Sequence, residues 1–163
     1  MKGKDMKKTL VSITAVIIAL VCMLSACGEK PNNADVTAAE LWEKVKAVSG
    51  YGAMTAVPER DYMDVYGVDK TKLSDSVWYM SENPALNADE CAIFKLADAS
   101  YADDLAKILK DRLSRQLAVA KAYSPEEAGK IEKAEVTVSG SFVYFCVGEN
   151  SDAMMNAIRN AVK

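Results

Sequence analysis

The side chains able to do chemistry in this chain are carboxylates, lysines, arginines and four cysteines, because its 163 residues include no histidine. Without an imidazole there is no Ser-His-Asp or Cys-His nucleophile, no HExxH zinc site and no histidine-based pH switch. The spacings of an EF-hand loop and of a Walker phosphate loop are also missing from the sequence. The sequence therefore predicts no catalytic residue, no cofactor and no metal site.

One predicted helix carries two polar residues on its apolar side. At about 100° per residue, the residues within about 60° of Leu105 form an apolar stripe of Ile108, Leu109, Val119, Ala120 and Tyr123. Arg112 and Gln116 lie within about 20° of the centre of this stripe. An unpaired buried guanidinium costs several kcal/mol, so Arg112 needs a partner or access to water. Glu90, at the start of the preceding predicted strand, is a plausible partner. Three interpretations stay open: a polar pocket that binds an anion through Arg112, a structural network of Glu90, Arg112 and Gln116, or an Arg112 side chain that extends to water at the edge of the sheet.

Two cysteines, Cys91 and Cys146, lie in separate predicted strands. A disulfide between them is one interpretation, provided that the domain lies outside the cytoplasm. The other is a pair of buried free thiols, since unpaired cysteine is among the most buried residue types. Catalytic use of either thiol is disfavoured, because no histidine is present to activate it.

Aromatic and acidic residues are concentrated between residues 51 and 79. The aromatic side chains there suit either stacking on cell-wall sugars and protein contacts, or filling of the core with the polar tip at the surface. The acidic residues suit either a hard cation or solvated helix and turn positions. The aromatic residues are Tyr51, Tyr62, Tyr66, Trp78 and Tyr79, and the acidic ones are Glu59, Asp61, Asp64 and Asp69.

The first 26 residues have the composition of an export signal. Four lysines in residues 1–8 precede 15 uncharged residues from Thr9 to Met23. The segment that follows, Leu24-Ser25-Ala26-Cys27, resembles the lipobox of bacterial lipoproteins. That resemblance implies a diacylglyceryl group on the sulfur of Cys27 and cleavage before this residue. The alternative is a retained membrane helix, since 20 uncharged residues from Thr9 to Gly28 are enough to span a bilayer.

Both interpretations place the rest of the chain outside the cytoplasm, and the lipoprotein interpretation divides the chain into three parts. Residues 1–26 are a lipoprotein signal peptide, residues 27–35 are the lipidated cysteine and a flexible tether, and residues 36–163 are a single α+β domain. The leader carries four lysines and one aspartate, so its removal makes the chain more negative than its overall charge of −3. The acidic charge of the domain disfavours nucleic acid as a partner. It also disfavours contact with anionic lipids, so attachment to the membrane depends on the lipid group.

Hydrophobic periodicity and turn signals predict an antiparallel sheet of about four strands, formed by two hairpins, with helices packed on one face. The predicted element order is ααββαββα. The first helix begins with a capping box of Thr37 and Glu40, and the clearest hairpin turns at Gly140-Ser141. The predicted helices cover residues 38–48, 58–66, 101–123 and 151–162, and the predicted strands cover residues 76–81, 90–96, 136–139 and 142–147.

Four short segments of the chain resemble a bacterial lipoprotein family, domain of unknown function 4358. The resemblance covers residues 36–163 and implies a lipid-anchored extracytoplasmic domain, with no catalytic residue carried over. Cys91 departs from it, because the family usually has an aliphatic residue there. The segments are Tyr66-Gly67-Val68-Asp69, Ala88–Lys95, Arg112–Gln116 leading to Tyr123-Ser124-Pro125, and Val138–Val143.

These observations lead to a functional expectation. We expect a non-enzymatic binding or interaction module of the cell envelope, anchored by lipid to the extracytoplasmic face of the cell membrane, with an envelope protein or cell-wall component as its partner. The alternative is an extracytoplasmic hydrolase that acts on an envelope polymer through carboxylates, chemistry that needs no histidine.

Overall fold

The computed structural model describes residues 36–163. The predicted signal peptide (1–26), Cys27 and the tether (27–35) lie outside these residues. Within the described part of the chain, no helix combines the length and the apolar composition needed to cross a bilayer.

The described residues form one antiparallel sheet of five strands with helices on both faces. The strands lie in the order β1-β2-β3-β5-β4, so that β3 is central and β1 and β4 are the edges. Two short 3₁₀ turns precede β2 and α3. In chain order the elements are α1 (Ala38–Ser49), β1 (Met54–Ala56), α2 (Asp61–Asp64), β2 (Leu73–Ser81), β3 (Glu90–Leu96), α3 (Ala102–Tyr123), α4 (Pro125–Glu132), β4 (Thr137–Ser139), β5 (Phe142–Val147) and α5 (Ser151–Ala161).

Helices α1 and α5 pack together on one face of the sheet, called here the α1–α5 face. Helix α1 begins with the predicted capping box of Thr37 and Glu40 and ends at Gly50, whose φ of 70° is left-handed. Asp75 on β2 also accepts a hydrogen bond of 2.6 Å from the backbone N–H of Ala38, which fixes the start of α1 against the sheet. The core on this face is built from Leu41, Trp42, Val45, Cys91, Ile93, Tyr144, Cys146, Met154 and Ile158, with neighbouring residues.

Helices α2, α3 and α4 cover the opposite face, called here the α3 face. Because successive strand residues point to opposite sides, the even-numbered residues of β2 and β3 face α3. The core on this side is built around Tyr62, Trp78, Ala92, Phe94, Leu105, Leu109, Leu113, Ile131, Val143 and Phe145. With a core on both sides, nearly every residue of β3 and β5 is buried.

The α+β class, the antiparallel pairing and the hairpin that turns at Gly140 agree with the sequence predictions. The count of about four strands and the order ααββαββα are wrong, since the order is αβαββααββα. Strand β1, which has three residues and no apolar alternation, and α4, which has eight residues, are absent from the predicted order. The predicted helix at 58–66 contains only four helical residues.

The prediction that helices pack on one face is also wrong. Strand β5 (FVYFCV) and residues 91–94 of β3 (CAIF) are continuous apolar runs, as expected of strands covered on both sides. The apolar stripe predicted along α3 is wrong at its end: Val119 and Tyr123 are exposed by 60% and 84%. This end of the helix borders a cavity and is not covered by the sheet.

Candidate functional site

The polar centre of the α3 face is the carboxylate of Glu90, whose residue is only 1% exposed. It accepts four hydrogen bonds. Oε1 accepts from Trp78 Nε1 at 2.6 Å and from Arg112 Nε at 2.7 Å. Oε2 accepts from Arg112 Nη2 at 2.9 Å and from Gln116 Nε2 at 2.7 Å. A bidentate guanidinium pair with two further donors satisfies both oxygens of a buried carboxylate, and such burial is tolerated only with partners of this kind.

The fold brings these four residues together through two simple periodicities. Trp78 lies opposite Ala92 across the β2–β3 pair, which makes Glu90 its diagonal neighbour on the same face of the sheet. Arg112 and Gln116 are four residues apart on α3 and therefore share one side of the helix. The network consequently ties α3 to both β2 and β3.

The guanidinium of Arg112 also lies against two aromatic rings. Its Cζ lies 4.7 Å from the ring centre of Tyr66 and 5.2 Å from that of Trp78. Stacking of this kind favours a desolvated cation. The arginine side chain is 16% exposed, whereas the carboxylate that it pairs with is almost fully enclosed.

A cavity of about 310 Å³ adjoins this network. It lies between the β2–β3 loop, the C-terminal half of α3 and the start of α4, and its lining is mainly apolar. Met80, Ala120 and Ile131 contribute core residues to it, while Leu86, Val119 and Tyr123 form an exposed apolar rim. This volume is at the lower end of the range typical of small-molecule sites.

A second ionic cluster borders the same cavity. Lys130 on α4 lies 3.3 Å from Asp89 and 3.1 Å from Glu127. Glu127 also accepts a 2.7 Å hydrogen bond from the backbone N–H of Ala88, which fastens the β2–β3 loop to α4. Burial alone would lower the pKa of Lys130, but the hydrogen bond that Lys130 donates to Glu127 and the charge of Asp89 raise it above its ordinary value. Both carboxylates of this cluster are therefore paired within the protein.

Three polar groups around the cavity are not matched in this way. The bonds to Glu90 use Nε and Nη2 of Arg112, and its Nη1 group has no acceptor among the described residues. Arg115, which lines the cavity and is exposed, makes no ion pair within residues 36–163. The Oε1 atom of Gln116 is buried and accepts no hydrogen bond from the part of the chain that the structure describes. Of the two arginines that line the cavity, Arg115 is therefore the one without an ionic partner among the described residues.

The other residues considered from the sequence lie elsewhere. Cys91 and Cys146 are buried free thiols on the α1–α5 face, with their sulfur atoms 3.6 Å apart. The aromatic residues between 51 and 79 divide between the two faces, with Tyr79 stacked on Trp42 and with Tyr62 and Tyr66 against Trp78. No group of three or more Asp, Glu or Cys side chains in residues 36–163 is arranged to hold a metal ion.

Sequence reasoning missed several residues of the site. Trp78 was assigned to the aromatic group alone, although the period-2 alternation of β2 places it on the face that carries Glu90. Leu86 lies in the loop that follows Asn83-Pro84. Its role could not be predicted, because loop residues have no hydrophobic periodicity. The Asp89–Lys130–Glu127 cluster joins segments about 40 residues apart, and nothing local in the sequence indicates it.

Replacement of Glu90 by glutamine should lower the free energy of unfolding by about 3–5 kcal/mol. The substitution keeps the size of the side chain but leaves the Arg112 guanidinium without its anion and turns one acceptor oxygen into a donor. Equilibrium denaturation measures the change. The matched control is Glu82→Gln, which is exposed and forms no side-chain bond within the described residues, and we expect it to alter stability by less than about 0.5 kcal/mol.

The double variant Glu90→Gln/Arg112→Met should be more stable than the sum of the two single effects predicts, because the unpaired cation has also been removed. Equal effects of Glu90→Gln and Glu82→Gln would show that the network does not stabilise the domain.

Comparison with known proteins gives one family match. The family model described as "Domain of unknown function (DUF4358)" matches residues 46–148, which run from within α1 to just after β5. The match is narrower than the resemblance over 36–163 and includes the whole sheet, Glu90, Arg112, Gln116 and the cavity. Neither the curated proteins nor the solved structures compared with the chain gave a match. The chain belongs to the DUF4358 family.

Proposed function

We propose that this protein is a lipoprotein anchored through Cys27 to the extracytoplasmic face of the cell membrane, and that it binds a small envelope ligand in the cavity beside Glu90. The ligand has a compact apolar body and one acidic group. The observation that carries the proposal is a cavity with an apolar lining and rim whose carboxylates are all paired internally, while the guanidinium of Arg115 on its lining has no ionic partner among the described residues.

The apolar body of the ligand is supported by the rim of the cavity. Leu86, Val119 and Tyr123 come from a loop and from one side of α3, and they are among the most exposed large apolar residues described. Single exposed apolar side chains are ordinary, but a group of them around a concave site is typical of a binding surface.

The acidic group of the ligand is supported by charge complementarity. Arg115 is unpaired among the described residues, and Arg112 offers its Nη1 group beyond the bidentate bond to Glu90. Guanidinium groups bind carboxylate and phosphate oxygens with two parallel hydrogen bonds and remain charged at any physiological pH.

The same geometry supports binding over the alternative of a carboxylate hydrolase. Such an enzyme needs one carboxylate that holds a proton and another that acts as a base or nucleophile. Glu90 accepts four hydrogen bonds, and Asp89 and Glu127 are both engaged with Lys130. Carboxylates that are committed to internal donors are poorly suited to proton transfer with a substrate.

The anchor is supported by the basic start, the apolar run and the lipobox-like segment that ends at Cys27. Two acyl chains hold a protein stably on a membrane, whereas one chain binds only marginally. The overall acidic charge of the chain gives the protein little attraction to anionic lipid, so the anchor supplies the membrane affinity.

Cells that express the full chain with labelled palmitate should incorporate the label into the protein. The Cys27→Ala variant should lose the label, because the acylated sulfur is gone, and should keep its uncleaved mass. Cys22→Ala is the matched control, since Cys22 lies within the segment that is removed, and it should label like the wild type. Label retained by Cys27→Ala, or absent from the wild type, would contradict the anchor.

The folded protein should bind anilinonaphthalene sulfonate, an apolar molecule with one acidic group, at a single saturable site. Val119→Glu should raise its Kd about 10-fold or more, because a carboxylate on the apolar rim repels the probe and removes apolar contact. Fluorescence titration measures this. Val48→Glu is the matched control, since Val48 is also an exposed helical valine but lies on α1, away from the cavity, and its Kd should be unchanged.

The role of the arginines is tested with a neutral probe of similar shape, phenylnaphthylamine. Arg115→Gln should weaken binding of the sulfonate several-fold and leave binding of the neutral probe unchanged, while Arg60→Gln, far from the cavity lining, should affect neither. If Arg115→Gln bound each probe as tightly as the wild type does, that result would contradict the acidic group proposed for the ligand.

A further inference from the structure

A pair of thiols on the α1–α5 face has no part in the proposed ligand site. Cys91 on β3 lies directly opposite Cys146 on β5, and both residues are completely buried. Their sulfur atoms are 3.6 Å apart, so the two side chains already point toward each other.

The register of the sheet places this pair at a spacing that suits a disulfide. The backbone N–H of Leu96 donates to the carbonyl of Ser141, which lies opposite it, so every second pair from there exchanges hydrogen bonds. Cys91 and Cys146 therefore form a pair of the narrow kind that exchanges no hydrogen bonds, with Cα atoms about 4.5 Å apart. That separation is within the range of about 4.4–6.8 Å found for disulfides.

The same thiols are closed off from reagents in the folded domain. The hydroxyl of Tyr51 lies 3.0 Å from the carbonyl oxygen of Glu90 and 2.9 Å from that of Val147, which holds its ring across the strand ends. The ring fits tightly, because a Cβ added at Gly148 would lie 2.8 Å from Tyr51 Cε1. Side chains of α1 and α5 complete the cover.

Thiol–disulfide exchange needs both access and a thiolate. Burial raises the pKa of the Cys91 thiol well above its ordinary value, and the neighbouring Cys146 raises it further. In the folded domain neither sulfur is accessible, and the Cys91 thiol is not a ready nucleophile.

We propose that Cys91 and Cys146 become a disulfide while the domain folds, before Tyr51, α1 and α5 close over the strands, and that the folded domain then preserves whichever redox state it acquired. The oxidant is a second disulfide, on a small molecule or on an exchange protein. One cysteine thiolate attacks it, releases one thiol and forms a mixed disulfide. The other thiolate attacks the protein sulfur of that mixed disulfide and releases the second thiol. The two sulfurs lose two protons and two electrons, and the oxidant is reduced to two thiols.

This inference does not depend on the ligand proposed for the cavity, and the experiment uses the full chain. The protein is unfolded and reduced, then refolded with oxidised glutathione, alkylated under denaturing conditions and digested for mass spectrometry. We expect a linked peptide pair containing Cys91 and Cys146 in most molecules, and peptide mapping separates it from products of Cys22 and Cys27. Refolding that leaves both cysteines fully alkylated would overturn the proposal.

A parallel sample tests when the bond forms. Protein that is first refolded under reduction and then given the same oxidised glutathione should form the linked pair at least about 10-fold more slowly. An equal rate in the two samples would overturn the claim that folding closes the site. The linked protein should also have a Tm several degrees above that of the reduced protein, whereas Cys91→Ala/Cys146→Ala should show no difference between oxidising and reducing buffers.

Discussion

The burial of one carboxylate constrains the rest of this domain. Glu90 lies at the start of the central strand with only 1% of its surface exposed, so each of its oxygens must find donors. Those donors come from β2 through Trp78 and from α3 through Arg112 and Gln116. Because a bidentate guanidinium pair has strict geometry, the position of α3 along and around its own axis is fixed relative to the sheet.

The cavity follows from that constraint. With α3 held at Arg112 and Gln116, Val119 and Tyr123 in its last two turns are exposed beside the β2–β3 loop. Lys130 draws the loop and α4 together through Asp89 and Glu127 and closes the other side. These ionic contacts therefore shape an apolar recess. Such a recess suits binding of a ligand better than catalysis.

Most of the structure that could be predicted was predicted from patterns within a few neighbouring residues. The capping box at Thr37 and the turn at Gly140 each lie within a few residues, and the placement of Arg112 in an apolar stripe indicated Glu90 as a plausible partner. What could not be predicted depends on distant segments. The sequence indicates that β3 and β5 are covered on both faces only through their runs of consecutive apolar residues. In strands this short, too few residues alternate to distinguish such a run from a strand that is buried on one face. Strand β1 is defined by its pairing with Met80 and Tyr79 and not by its own composition. Trp78 gave no indication of its hydrogen bond, since an indole in a strand suits an apolar core equally well.

Hydrogen exchange at the indole N–H of Trp78 tests the central claim most directly. The chain has two tryptophans, so a Trp42→Phe variant assigns the two indole signals. If the Glu90 network holds α3 on the sheet, this proton exchanges only when the domain unfolds, with the same opening free energy as the slowest backbone amides of β3. Exchange at the rate of a solvent-exposed indole, with the β3 amides still protected, would show that the carboxylate is not enclosed and would contradict the account.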